Sequence, residues 1–170
     1  MHSAQGRPVH LLTITSHDEQ EKDNEILFDE SLFPEKIRPI RFKKPVVLIT
    51  ARVHPGETPA SYAMEGVIDF LTSRTDLRAH LLRKMFVFMV VPMINVDGVL
   101  HGHFRMDTFG RNLNRFYISP DRQQQPAIFG IKALANHLTA DNRLSFYFDL
   151  HAHNAKKGCF IYGNAFTDFV

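Results

Sequence analysis

Two hydrophobic periods alternate along this chain. Residues 9–15 are rich in apolar and β-branched side chains and predict a strand. Residues 16–44 are first acidic, then basic. The run Asp18-Glu19-Gln20-Glu21-Lys22-Asp23 has no hydrophobic periodicity, so a solvated loop or insertion is expected there. An unbroken apolar run at 46–49 predicts a buried strand. After a polar loop, Ala60, Ala63, Met64, Val67, Phe70 and Leu71 recur at helical spacing, with Thr58 placed to cap that helix and Pro59 fitted to its first turn. Residues 85–91 are the most hydrophobic stretch and end at Pro92, which predicts a central parallel strand covered on both faces.

Asn95-Val96-Asp97-Gly98 is a turn signal, and a long loop interrupted by Gly102 and Gly110 leads from it to Asn112-Leu113-Asn114-Arg115. Loops of that length usually carry function. Pro126 then opens a helix with Ala127, Ile131, Leu134, Ala135 and Leu138 on one face. Residues 144–150 predict another strand and 159–162 a short one. The alternation implies an α/β fold with a mixed, largely parallel sheet flanked by helices.

Composition narrows the picture. With 170 residues, 44% hydrophobic, the chain can bury a substantial single core. A formal charge of +2 is too balanced to argue for nucleic acid or an anionic membrane. No stretch approaches the roughly 20 apolar residues of a membrane span. The single Cys159 permits no internal disulfide, which suits a reducing compartment, and a cytosolic location is expected.

Ten histidines make a metal site worth seeking. His54 and Glu57 flank Pro55-Gly56, whose tight turn can fold an imidazole and a carboxylate onto one ion, and both are normal zinc donors. A catalytic zinc needs a third protein ligand and an open position. In open α/β sheets sites form at the carboxyl ends of strands, and the strand at 144–150 ends in His151-Ala152-His153. His54, Glu57 and one of these two histidines would complete the set, with His153 more suited to an outer or substrate-side place. Asp149, two residues before His151, falls on the same side of a strand and can act behind it. His101 and His103 read as surface residues. Lys156 and Lys157 read as a solvated basic pair that could attract an acidic substrate.

These residues carry a resemblance. His54-Pro55-Gly56-Glu57, Asn95-Val96-Asp97-Gly98, Arg105, Asn112-Leu113-Asn114-Arg115, Asp149-Leu150-His151-Ala152-His153 and the stretch from Lys156 to Asn164 occur in the order found in zinc metallocarboxypeptidases. The chain most resembles the cytosolic carboxypeptidases, and residues 102–115 resemble those that remove branch-point glutamates. The resemblance implies one zinc ion held by His54, Glu57 and His151, with Arg105 as the oxyanion-stabilising catalytic group. It further implies that Asn114 and Arg115 bind the substrate's terminal carboxylate, with Lys156 and Lys157 on the substrate side.

The implied activity is removal of C-terminal or branch-point glutamates from polyglutamylated tubulin or other acidic tails, in the cytosol, at microtubules or in the nucleus. An amidohydrolase of N-acyl amino acids and a non-catalytic module that binds acidic tails are the alternatives. Three residues depart from the family pattern: Val96 stands where proline is common, Ala152 where glycine is common, and Asn112 where classical relatives have aspartate. The resemblance also places the general-base glutamate and the specificity residue beyond Val170, and a β-sandwich domain before the chain. Residues 1–170 are thus expected to be the N-terminal part of a catalytic domain, truncated at both ends and incomplete at the C-terminal side of its sheet.

Overall fold

The computed structural model describes residues 1–26, 28–33 and 39–163. Its elements are β1 (Leu12–Ile14), β2 (Gln20–Asn24), β3 (Ile40–Phe42), β4 (Val46–Ala51), α1 (Thr58–Thr72), α2 (Leu77–Met85), β5 (Val87–Val91), α3 (Val96–Leu100), α4 (Pro126–Ala140) and β6 (Leu144–Leu150), with a 3-10 turn at Leu113–Arg115 before α4. Four strands form one sheet in the order β1-β5-β4-β6. β4 is parallel to both β5 and β6, and β1 joins β5 antiparallel, so the sheet is mixed and largely parallel as expected.

Every residue of β4 and β5 is buried, because side chains on both faces have somewhere to go. Val46 and Leu48 of β4, with Val87, Met89 and Val91 of β5, pack into one core with Ile128, Ile131, Leu134 and Leu138 of α4. The intervening Val47, Ile49 and Ala51, with Phe88 and Val90, face Met64 and Leu71 of α1. The two-residue period of the strands thus feeds two cores, and each large aliphatic side chain contributes about 1.5–3 kcal/mol of burial.

Several local expectations are corrected. Residues 16–44 are not simply a solvated loop. β2 and β3 pair antiparallel, Leu32, Phe33 and Phe42 enter the α4-side core, and the charges are paired, Glu21 with Arg41 and Glu25 with Arg143. Buried partners elsewhere in the chain override the polar local pattern. Residues 27 and 34–38 of that stretch, and Asn164 of the last motif, lie outside the described residues.

The helix after the polar loop starts at Thr58 itself, with Glu57 at the cap position, and Ala63 faces solvent while Ile68 joins the core. Met85 closes α2 and is not part of β5. Asn95 to Gly98 is the first turn of α3, where the Asn95 side chain accepts from the Gly98 amide at 3.0 Å. Residues 159–162 form no strand. No neighbour pairs with them among the described residues, and Phe160, Ile161 and Tyr162 stay exposed.

Candidate metal centre

β4 and β6 lie side by side, with Ala51 in register with Leu150, so the loops leaving their carboxyl ends meet. The first loop carries His54 and Glu57, the second His151 to His153. Donor atoms of His54, Glu57 and His151 all lie within 4.8 Å of one another. His54 Nδ1 stands 2.7 Å from Glu57 Oε1, and His151 Nδ1 stands 3.1 Å from Glu57 Oε2. The backbone amide of Ala152 donates to Glu57 Oε2 at 2.8 Å and ties the two loops together.

The far nitrogens of both imidazoles are held from behind. Asn112 Oδ1 accepts the Asn114 amide at 3.1 Å, which identifies it as the oxygen, so the Nε2 of neutral His54 donates to it at 2.9 Å. Asp149, acceptor only, takes the Nε2 proton of His151 at 2.8 Å. In both neutral rings the Nδ1 lone pair therefore faces the Glu57 carboxylate. His54 Nδ1 is buried and makes no well-formed hydrogen bond. A buried lone pair aimed at a carboxylate is relieved by a cation between them, so this donor set fits a metal ion, and two imidazoles with one carboxylate suit zinc. Asn112 thus serves as the neutral acceptor behind His54.

Asp149 is itself supported. Thr50, its partner in the β4–β6 register, donates to Asp149 Oδ1 at 2.7 Å and lies 3.1 Å from the Tyr147 hydroxyl. Desolvation of the hydroxyl end, with the nearby Asp149 charge, pushes the Tyr147 phenol up to about 12 although part of the residue is exposed, and burial raises Tyr117 as well. The hydrogen bond to Asp149 raises the His151 pKa above the ordinary imidazole value.

The first loop is braced on every side. The amides of Ile94 and Asn95 donate to the carbonyls of Ala51 and Arg52, and Asn95 Nδ2 reaches the Val53 carbonyl at 3.2 Å. The Gly56 amide donates to the Phe104 carbonyl at 2.7 Å, and a Cβ at Gly56 would lie 2.6 Å from that oxygen, so only glycine permits the approach. Arg52 sits in the left-handed region at φ 61, a conformation that costs a non-glycine residue roughly 1–3 kcal/mol.

The other candidates fall at different distances from this cluster. Arg105 Nη1 lies 3.7 Å from Glu57 Oε1, with its side chain 43% exposed and therefore free to turn toward a ligand. Asn114 is half-buried, and Arg115 is exposed with a 3.4 Å contact to the Asn114 carbonyl. Lys156 lies over the rings of Phe160 and Tyr162, and Lys157 is exposed. His153 accepts the amides of Ala155 and Lys156 on Nδ1 and is engaged by its own loop. His101 is exposed and His103 half-buried against the Asp107 carbonyl.

Sequence reasoning missed Arg52, Thr50, Tyr117 and Tyr147. The period of β6 sets Tyr147, Asp149 and His151 on one side, a signal that could have found Tyr147. Nothing local marks Arg52 as buried.

This centre and fold define a class of protein. The zinc carboxypeptidase family profile matches residues 1–155, and the chain belongs to that family. Within it, the chain is similar to human cytosolic carboxypeptidase-like protein 5, 45% identical over 85% of the chain and 16% of that protein. Mouse cytosolic carboxypeptidase 6 is 40% identical over 98% of the chain and 28% of its own length. The metallo-carboxypeptidase from Burkholderia cenocepacia shares 28% identity at a TM-score of 0.67, covering 90% of this chain and 35% of that one. The chain thus spans less than a third of the length of these curated relatives.

Proposed function

We propose that this chain acts in a zinc metallocarboxypeptidase of the cytosol that removes C-terminal or branch-point glutamates from acidic protein tails such as those of polyglutamylated tubulin. The observation that carries this reading is the convergence of His54 Nδ1, the Glu57 carboxylate and His151 Nδ1 at two neighbouring strand ends. One zinc ion held by these three side chains keeps an open coordination position. When bound, zinc supplies a Lewis acid for the scissile carbonyl and an acidified water.

The chain's own residues supply the rest. Arg105, beside Glu57, is in reach of a developing oxyanion. Arg115 offers a guanidinium fork to the substrate's terminal carboxylate, with Asn114 beside it, which is what makes the action exopeptidic. Lys156 and Lys157 add positive charge that favours an acidic tail. The cytosolic names of the relatives support the location.

The test is release of free glutamate from polyglutamylated tail peptides by the full-length protein that carries this chain, with zinc and with a chelator, alongside N-acyl amino acids as substrates. Glutamate release that needs zinc, and falls about 100-fold in Arg105→Ala, is expected. Hydrolysis of N-acyl amino acids alone would turn the reading to an amidohydrolase. Tail binding without release would turn it to a binding module.

A further inference from the structure

Arg52 is a buried cation in an unfavourable backbone conformation, two residues before the first metal-type histidine. It is 8% exposed, and no carboxylate lies within salt-bridge distance of it among the described residues. Its φ of 61 suits glycine, so the side chain must contribute enough to offset a backbone cost that glycine would avoid. The guanidinium closes a small ring. Nε donates to the Pro55 carbonyl at 2.8 Å, and Nη1 donates to Ser61 Oγ in the first turns of α1.

Pro55 is the residue between His54 and the Gly56-Glu57 step, and it is buried. The direction of its carbonyl therefore sets how the His54 and Glu57 side chains are turned relative to each other. Without a donor from Arg52, that buried carbonyl would seek another partner by rotating its peptide, and both side chains would move with it. The Ser61 contact anchors the same guanidinium to α1, which begins directly after Glu57.

We propose that Arg52 is a positioning residue of the metal centre: a buried guanidinium clamp that fixes the Pro55 peptide and so presets His54 and Glu57 for the ion. This rests on the metal reading above. The clamp touches neither ion nor substrate.

The test uses zinc affinity by competition with a chromophoric chelator, the visible spectrum of the cobalt-substituted chain, and thermal melts without metal. The variants are Arg52→Gly, Arg52→Lys and Ser61→Ala, beside His54→Ala. Glycine removes the clamp while relaxing the left-handed backbone, so Arg52→Gly should keep a melting temperature near the parent's. It should nevertheless bind zinc about 10- to 100-fold more weakly, with a shifted cobalt spectrum. Arg52→Lys, able to reach the Pro55 carbonyl alone, should recover part of the loss.

Zinc affinity within twofold of the parent in Arg52→Gly, with an unchanged cobalt spectrum, would overturn the clamp. If Arg52→Gly does not fold, Ser61→Ala decides, since it removes only the outer anchor. A loss of roughly three- to tenfold is expected there, and parity overturns the clamp. A folded parent that binds no zinc would instead overturn the metal reading and the clamp with it. A parent that binds and a His54→Ala variant that does not would leave the metal reading standing whatever Arg52 does.

Discussion

β4 and β6 run parallel and adjacent, yet they live in different surroundings. β4 is buried along its whole length and delivers a loop held by Arg52, Asn95, the Phe104 carbonyl and Asn112. Among the described residues β6 pairs with β4 alone and leaves Phe146, Tyr147 and Phe148 exposed at 41–52%, and it delivers a loop whose histidine is held from behind by Asp149. One half of the metal centre is thus preset by the core. The other docks onto it through side chains and the Ala152 amide. The lesson is that two ligands from equivalent places in a fold need not be equally preorganised.

Three substitution pairs or series sharpen this contrast. The largest effect is expected on stability. Leu48→Ala in β4 should cost about 2–5 kcal/mol through lost burial and a residual cavity, whereas Phe146→Ala on β6 should stay within about 0.5 kcal/mol. Denaturant unfolding measures both, and equal costs would erase the distinction between the strands.

Next comes metal affinity. Asn112→Ala removes the group that orients the buried His54 and should weaken zinc binding toward 100-fold, while Asp149→Ala, behind the more exposed His151, should lose nearer tenfold. A reversed order, read by competition titration, would place the better-fixed half on β6.

The smallest effect tests the other end of β4. Lys44, 1% exposed, donates to Thr15, to Ser16 and to the last-turn carbonyl of Arg83, and burial lowers its pKa below the usual value of 10.5. Because the unfolded chain then holds the proton more tightly, stability should rise as pH climbs from the lowered folded value toward the unfolded one. Lys44→Met should flatten that rise in melts at alkaline pH. An unchanged slope would mean that the Lys44 proton is not linked to folding.

Much of the β4 side was legible in the sequence because its signals are local. An apolar run, a Pro-Gly turn and a following amphipathic helix lie within a few dozen residues. The His151 loop was legible only as a strand end carrying two histidines, and it was the resemblance that singled out His151. The structure brings His151 to Glu57 and leaves His153 bonded within its own loop.

α2 escaped notice because Leu77, Leu81 and Met85 face solvent, and only the small Ala79 and the half-buried Leu82 turn inward. β2 and β3 escaped because contacts that tie them to the rest of the fold lie far along the chain, as in Arg41 of β3 with Asp141, separated by 100 positions. The Thr50–Asp149 contact and the Arg52 clamp depend on the packed backbone, and no local pattern announces them.

The register between β4 and β6 also acts as a clock. Glu57 and His151 are 94 positions apart, so their encounter waits for a long loop to close and a parallel pair to form, events that are slow compared with helix formation. Until then His54 and Glu57 offer an ion only a weak two-point grip. Metal capture with full affinity should therefore lag behind helix growth during refolding, and its appearance would mark the moment at which the chain's topology is complete.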